Sequence, residues 1–214
     1  MNAKEQAQYR WDHVAKPLHS LGKLEDLIVQ IAGIQQTADV CIDKRCALLG
    51  FTPDELTGRG AGLSDAGLIR KRHAINQALR LHQPDANSPR DVLAKVGGFE
   101  IAGMVGAFLG GMKYGIPVII DGVISAVAAL AAARICPNAV ECMLPSHMSR
   151  EPAMVRILEE LNLHPILHAD MALGEGTGAV ALIPMLDMAL KVYRGPHTFD
   201  DLGMEAYTPQ EENK

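Results

Sequence analysis

The chain has 214 residues, of which 48% are hydrophobic and 21% are charged, so it is long enough to bury one sizeable core. This composition predicts a single globular domain over residues 1–214. A formal net charge of −5, without long runs of Lys or Arg, lacks the basic surface expected of a protein that binds DNA or RNA, so no nucleic-acid partner is expected.

The N-terminal region carries the pattern of one amphipathic helix. Between Ser20 and Gly33, apolar residues recur at three- and four-residue spacing, as the buried stripe of a helix requires. We expect residues 1–36 to pack with a helix in residues 179–207 as a small helical subdomain, and residues 208–214 to form a disordered tail. The residues before Ser20 lack the continuous apolar stretch of a secretory signal, which favours a cytoplasmic location.

Three short motifs predict the starts of helices in the next part of the chain. Thr52-Pro53-Asp54-Glu55 and Ser88-Pro89-Arg90-Asp91 each place a capping residue, a proline with a preset φ and a carboxylate at the offsets of a helix start. Another helix is predicted to begin near Ser64. These motifs are structural signals and need no functional interpretation.

Residues 99–167 alternate between helical and strand patterns. Helical spacing is found at Phe99–Gly110, in an Ala-rich segment that ends near Cys136, and around Met154–Leu161. Short apolar runs predict strands at Ile116–Ile120, Cys142–Pro145 and Pro165–Leu167. The alternation predicts an α/β fold, with a parallel sheet flanked by helices in a Rossmann-like three-layer arrangement. In such sheets, ligands bind at the carboxyl ends of the strands.

Membrane and metal-site patterns are both weak in this chain. The most apolar segment, residues 116–136, has the length of a membrane span, but Asp121 lies near its middle, and a carboxylate at bilayer depth is costly. The four cysteines lack the paired spacing of a zinc site and are too sparse for a disulfide scaffold, so we expect free thiols. The histidines His147, His164 and His168 also lack the spacing of metal ligands. No membrane association and no metal are expected.

Two glycine clusters have the form of ligand-binding loops. In Gly174-Glu175-Gly176-Thr177-Gly178, the glycines tolerate positive φ and close approach to a ligand, and the amides of the following helix favour negative charge. The alternative is a glycine-rich turn with a solvated glutamate. Backbone amides of residues 58–62 could cradle a phosphate, and the alternative there is a flexible connector.

Three further polar residues lie where a ligand could reach them. Asp121 ends a predicted strand, although a carboxylate that caps the next helix would give the same pattern. Lys71 lies beside two arginines, which is also typical of a solvated basic face. Ser149 opens a helix, so it has an ordinary capping role as well as a candidate role in binding an anion.

Taken in order, several segments resemble one family. AKPLHSLGKLEDLIVQIAG resembles the KPPGSLGxLE region of the nicotinate-nucleotide:dimethylbenzimidazole phosphoribosyltransferases of cobalamin (vitamin B12) lower-ligand synthesis. GRGAGL, DVLAKVGGFEIAGMVGA, PVIIDGVIS, PSHMS and LGEGTGA follow in the order and spacing of the family. The series runs nearly continuously from about Gly58 to Tyr193, and the whole series is much more specific than any single motif in it.

The resemblance implies an activity and a set of site residues. Members of the family transfer phosphoribose from nicotinate mononucleotide to dimethylbenzimidazole, releasing nicotinate and forming alpha-ribazole phosphate. Glu175, in the LGEG motif, is implied to be the general base, with the nucleotide phosphate near Gly60, Lys71 and Ser149. Substrate contacts are implied for Gly58, Gly60, Lys71, Asp121, Ser146, Ser149, Leu173, Gly174 and Gly176. A homodimer is also implied, and neither a metal nor a redox cofactor is called for.

The chain departs from the family between Ile34 and Leu49. It passes there directly to the segment before Gly58, without the family's first strands, their Ala-Asp-x-Gly-Val motif or the Gly-x-Gly-Asn-Thr-Thr type of loop. In the family, that portion contributes walls of the benzimidazole pocket, a second acidic residue and part of the nucleotide cradle. A sheet without these strands exposes an edge. The alternative functions are a noncatalytic nucleotide- or azole-binding protein and a shortened remnant that self-associates.

Overall fold

The computed structural model describes Asn2, Glu5, Gln6, residues 45–59, residues 63–194 and Gly203. The chain divides into two compact units. The first holds the residues up to Thr57 together with Ser64–Gly98, and the second holds Gly58–Leu63 together with the residues from Phe99 onward. The predicted N-terminal helix, Cys41, Gly60 and the predicted tail lie outside the described residues.

The described part of the first unit is helical, and its helices begin where the sequence predicts. The helices are α1 (Arg45–Leu49), α2 (Pro53–Leu56), α3 (Asp65–His82) and α4 (Pro89–Val96). Glu55 accepts hydrogen bonds from Thr52 N at 2.8 Å and Thr52 Oγ1 at 2.7 Å, which joins both ends of the first turn of α2. Ser64 Oγ accepts from Gly67 N at 3.2 Å. The three predicted helix starts are thus confirmed.

The N-terminus of α4 is held by a carboxylate with several partners. Asp91 accepts from Asp85 N at 2.8 Å and forms an ion pair with Lys95 Nζ at 2.9 Å. Ser88 Oγ caps the same turn by accepting from Asp91 N at 3.3 Å. The Asp85 amide, and then Lys95, hold the pKa of Asp91 below its ordinary value of 3.8, because both partners favour the charged form.

Replacing Asp91 with Asn should therefore lower the thermal unfolding temperature near neutral pH. Because the folded-state pKa is below the unfolded one, the carboxylate stabilises the fold fully above 3.8, and this contribution is lost as the pH falls through the folded-state pKa. Thermal melts followed by circular dichroism across this range should show the two proteins converging at low pH. A difference that stays constant down to full protonation would contradict this assignment.

The second unit has the predicted α/β fold with parallel strands. Its elements are α5 (Phe99–Tyr114), β1 (Val118–Ile120), α6 (Val123–Ile135), a 3₁₀ helix (Pro137–Cys142), β2 (Met143–Pro145), α7 (Pro152–Leu161) and α8 (Thr177–Tyr193). Strands β1 and β2 pair in parallel, with Ile119 opposite Leu144. Among the described residues β1 has β2 as its sole strand partner.

The predicted third strand, Pro165–Leu167, is reduced to a single bridge. Leu167 pairs in parallel with His147, through Leu167 N to Ser146 O at 3.2 Å and Met148 N to Leu167 O at 2.8 Å. The prediction was too long because Pro165 has no N–H to donate, which leaves too few backbone groups for a ladder.

The core of the second unit is built around α6. Every side chain from Ala126 to Ala132 is at most 2% exposed, and α6 packs against α5, α7 and β1. The end of α5 approaches β1 closely, since a Cβ on Gly111 would lie 2.5 Å from Val118 Cγ2 and 2.7 Å from Ile116 O. The apolar segment 116–136 therefore forms a strand and a buried helix of the core. Across the described helices, none combines the length and apolar character needed to cross a membrane.

Candidate active site

The carboxyl ends of β1 and β2 lie side by side, and the site is built at this edge. Asp121 follows β1 and Ser146 follows β2. Ser146 N donates to Ile120 O at 3.0 Å, and Ser146 Oγ donates to Asp121 O at 3.3 Å. A Cβ on Gly122 would lie 4.0 Å from Gly174 Cα, so the glycine-rich loop reaches the same edge. Asp121, Ser146 and Gly174, which come from three separate segments, are thus brought together.

The Asp121 carboxylate binds the N-terminus of α8. Its Oδ1 accepts from Gly178 N at 2.8 Å and Ala179 N at 3.0 Å, and its Oδ2 accepts from Gly176 N at 3.1 Å. These amides have no partner within the helix, and a negative charge here also interacts favourably with the helix dipole. Asp121 therefore caps a helix that starts more than fifty residues further along the chain.

This contact corrects the interpretation of the amides at the start of α8. The sequence pattern predicts that they favour the negative charge of a ligand, but the Asp121 carboxylate already supplies that charge. The alternative for Asp121, that it caps the next helix along the chain, is also wrong, because α6 has Gly122 as its N-cap, without a side-chain hydrogen bond. A contact across the strand ends cannot be deduced from local spacing.

Glu175 lies in a turn of three consecutive left-handed residues. The φ angles are +74° at Gly174, +59° at Glu175 and +78° at Gly176. The turn is closed by Thr177, whose N and Oγ1 donate to Gly174 O at 3.1 and 2.7 Å. A left-handed conformation costs a residue with a Cβ about 1–2 kcal/mol, so surrounding contacts must hold Glu175 in place. Its side chain is exposed, and none of the described residues forms a hydrogen bond or ion pair with its carboxylate.

A buried histidine forms the wall behind this loop. His147 is 1% exposed, and its Nδ1 lies 3.0 Å from Ser146 Oγ. When the single Ser146 hydroxyl proton is donated to Asp121 O, His147 Nδ1–H donates to Ser146 Oγ, which defines the tautomer. Gly178 packs on the imidazole so closely that an added Cβ would overlap the ring. Sequence reasoning considered His147 as a metal ligand alone and missed this packing role, although its place beside Ser146 in PSHMS was a signal.

Gly178→Ala should consequently destabilise the second unit. The added methyl has no space, and overpacking of this kind costs about 1–3 kcal/mol. We expect a clear fall in the melting temperature, measured by differential scanning calorimetry.

Gly106→Ala is the matched control for this substitution. Gly106 lies exposed on α5 with nothing within 4 Å of an added Cβ, so alanine there should be neutral or slightly stabilising. Equal stability of the two variants would show that Gly178 is not tightly packed against His147.

A second group of predicted residues surrounds Glu151. Ser149 is 7% exposed, and its Oγ accepts from Glu151 N at 3.4 Å. Glu151 is the N-cap of α7, so the predicted capping role of Ser149 is wrong: Pro152 begins the helix two residues later than expected. Gly58 is buried here, and a Cβ on it would lie 2.6 Å from Glu151 Oε2. Glu151 was not singled out from the sequence because a glutamate before a proline at a helix start is an ordinary pattern.

The remaining predicted site residues are placed as follows. Leu173 is 72% exposed directly before the left-handed turn. Lys71 is half-buried on α3 of the first unit. Of the predicted thiols, Cys136 and Cys142 are free. In the part of the chain that the structure describes, no three His, Cys, Asp or Glu side chains cluster as metal ligands would.

Comparison with known proteins identifies the family of this chain. The family model described as phosphoribosyltransferase matches residues 1–49 and 44–204. The chain belongs to this phosphoribosyltransferase family. The match in two blocks agrees with the interpretation that an internal stretch of the family sequence is missing between them.

Curated relatives and solved structures agree with this assignment. The nicotinate-nucleotide–dimethylbenzimidazole phosphoribosyltransferase of Acetivibrio thermocellus is 48% identical over 157 residues, which is 73% of this chain and 45% of that protein. The protein of the same name from Ruminiclostridium cellulolyticum is 46% identical over 164 residues, covering 77% and 47%. A crystal structure of CobT from Thermus thermophilus superposes with a TM-score of 0.68 at 40% identity, covering 76% of this chain and 48% of that one. The chain thus spans about half the length of these relatives.

Proposed function

We propose that this phosphoribosyltransferase transfers phosphoribose from nicotinate mononucleotide to dimethylbenzimidazole, with Glu175 as the general base. The observation that carries the proposal is the position of the Glu175 side chain. Its carboxylate is exposed on a left-handed turn beside the carboxyl ends of β1 and β2, where parallel sheets bind their ligands. The names of the curated relatives supply the two substrates.

The proposed reaction needs one proton acceptor. One benzimidazole nitrogen attacks the anomeric carbon of the ribose, and the Glu175 carboxylate takes the proton from the other nitrogen, so that the azole does not accumulate positive charge. The bond between the ribose and the nicotinate nitrogen breaks, and its electron pair stays on that nitrogen. Nicotinate leaves with a neutral ring nitrogen and needs no acid. A carboxylate near the anomeric carbon also stabilises the positive charge that develops there.

The substrate contacts are proposed from the residues around this loop. Leu173 offers exposed apolar surface beside Glu175, which suits the flat face of a benzimidazole-type base. Gly174 and Gly176 allow the substrate to approach the backbone closely. Ser146 lies at the same edge of the sheet.

The nucleotide phosphate is proposed to bind near Gly60 and Ser149, with Gly58 and Lys71 as further proposed substrate contacts. Glu151 lies against Gly58, and its negative charge opposes that of a phosphate.

Glu175→Gln tests the proposed base directly. The amide keeps the size of the side chain but cannot accept the proton, so kcat should fall by about 100-fold or more, the usual contribution of a general base. The measurements are release of nicotinate and formation of alpha-ribazole phosphate, with nicotinate mononucleotide binding followed by isothermal titration calorimetry. Binding should be retained.

Glu141→Gln is the control, since Glu141 is exposed on the 3₁₀ helix of the same unit. This variant should keep wild-type turnover. If the wild-type protein is active and Glu175→Gln is equally active in a separate assay, Glu175 is not the general base.

A noncatalytic binding protein is the second candidate. It is favoured by one observation, that the chain spans about half the length of its relatives. In that case the titration detects binding of nicotinate mononucleotide, but the wild-type protein releases no nicotinate when dimethylbenzimidazole is added.

We also infer that the chain forms a homodimer. Two large apolar side chains lie in solvent at the end of α5: Tyr114 is 70% exposed and Ile116, two positions later, is 58% exposed. Neighbouring exposed apolar side chains of this kind are typical of surfaces of association. Sedimentation equilibrium should give the mass of a dimer, and Tyr114→Glu should weaken the association. A monomer at all accessible concentrations would contradict the inference.

A further inference from the structure

We propose that Asp121 is a positioning residue, which holds Glu175 in its catalytic conformation and does not itself bind the substrate. This inference rests on the proposed function of Glu175. Nothing in the names of the relatives assigns a role to Asp121.

Both carboxylate oxygens of Asp121 are already engaged. Oδ1 accepts from two amides at the start of α8, and Oδ2 accepts from Gly176 N. Three backbone donors of one helix terminus thus bind the carboxylate and fix its orientation toward α8, which makes Asp121 part of the scaffold of the site.

The bond to Gly176 N acts directly on Glu175. The N–H of Gly176 belongs to the same planar peptide group as the carbonyl of Glu175, so fixing its direction fixes ψ of Glu175. Glu175 has a φ of +59°, a conformation that a residue with a side chain rarely adopts without such support. Loss of this single bond therefore frees the one non-glycine residue of the three-residue turn.

Asp121 is itself anchored to the sheet and to α6. Its N–H donates to Ser125 Oγ at 2.9 Å, and Ser125 Oγ donates to Gly122 O at 2.8 Å. Its carbonyl accepts from Ser146 Oγ at 3.3 Å. Through Asp121 the loop is therefore anchored to the ends of both strands, which give the rigid support that a catalytic group needs.

The division of the three bonds between two oxygens makes the proposal testable with an isosteric change. In Asp121→Asn, the remaining oxygen can still accept from Gly178 N and Ala179 N, which keeps the cap of α8. The new NH₂ group then faces Gly176 N–H, and two donors cannot bond. The variant should release the Glu175 turn while it leaves the helix in place.

The experiment compares wild type, Asp121→Asn and the control Asp187→Asn, an exposed carboxylate further along α8. Amide hydrogen exchange, followed by NMR, should show faster exchange at Gly176 in Asp121→Asn, with Gly178, Ala179 and the buried amides of α6 still protected. In the same variant kcat should fall about 10- to 100-fold, as small misplacements of catalytic groups do, while KM for nicotinate mononucleotide stays nearly constant. Asp187→Asn should match wild type in both measurements.

The pH dependence separates positioning from direct catalysis. The rise of kcat with pH that reports Glu175 should persist in Asp121→Asn at a lower plateau, whereas it should disappear in Glu175→Gln. A raised KM with unchanged kcat would overturn the proposal in favour of substrate binding by Asp121. Equal exchange at Gly176 in wild type and Asp121→Asn would overturn it as well.

The two proposals fail in different ways. If wild-type protein has no turnover, the proposed function fails, and with it the catalytic consequence assigned to Asp121. The exchange of Gly176 still reports, without any turnover, whether the Asp121 carboxylate holds the loop. If wild type is active and Asp121→Asn releases Gly176 with unchanged kcat, only the positioning role is wrong.

Discussion

The second unit depends on one carboxylate placed between a strand and a distant helix. Asp121 ends β1, and it binds three amides at the start of α8. The charge satisfies donors that the helix itself cannot use, and the helix dipole stabilises that charge in return. The loop that carries Glu175 leads into this helix terminus, and Gly176, the residue after Glu175, donates one of the three bonds. The proposed positioning role of Asp121 rests on this contact.

Close packing of small residues lets the loop reach the strand ends. Gly178 lies against the ring of His147, and Gly111 lies against Val118 at the other end of β1. Buried alanines of α6 fill the space between α5 and α7. Larger residues at these positions would push the helices away from a sheet that is only two strands wide in the described part of the chain.

This chain differs from its relatives in length. It matches its family in two blocks and covers about half the length of the curated relatives. Strand β1 pairs on one side alone among the described residues. Proposed catalysis, binding without turnover and self-association each place a different group against the apolar side chains that the described residues leave exposed.

The sequence by itself determined several helix starts, the parallel α/β order and the family. Helix starts at Thr52, Ser64 and Ser88 and the parallel α/β order follow from local patterns, since caps and periodicity act over a few residues. The motif series identified the family without structural help. Only the tertiary structure showed that Asp121 caps α8, that His147 packs on Gly178 and that Glu151 lies at Gly58. These contacts join residues far apart in the chain, and their geometry arises when strand ends meet in space, which local spacing does not encode.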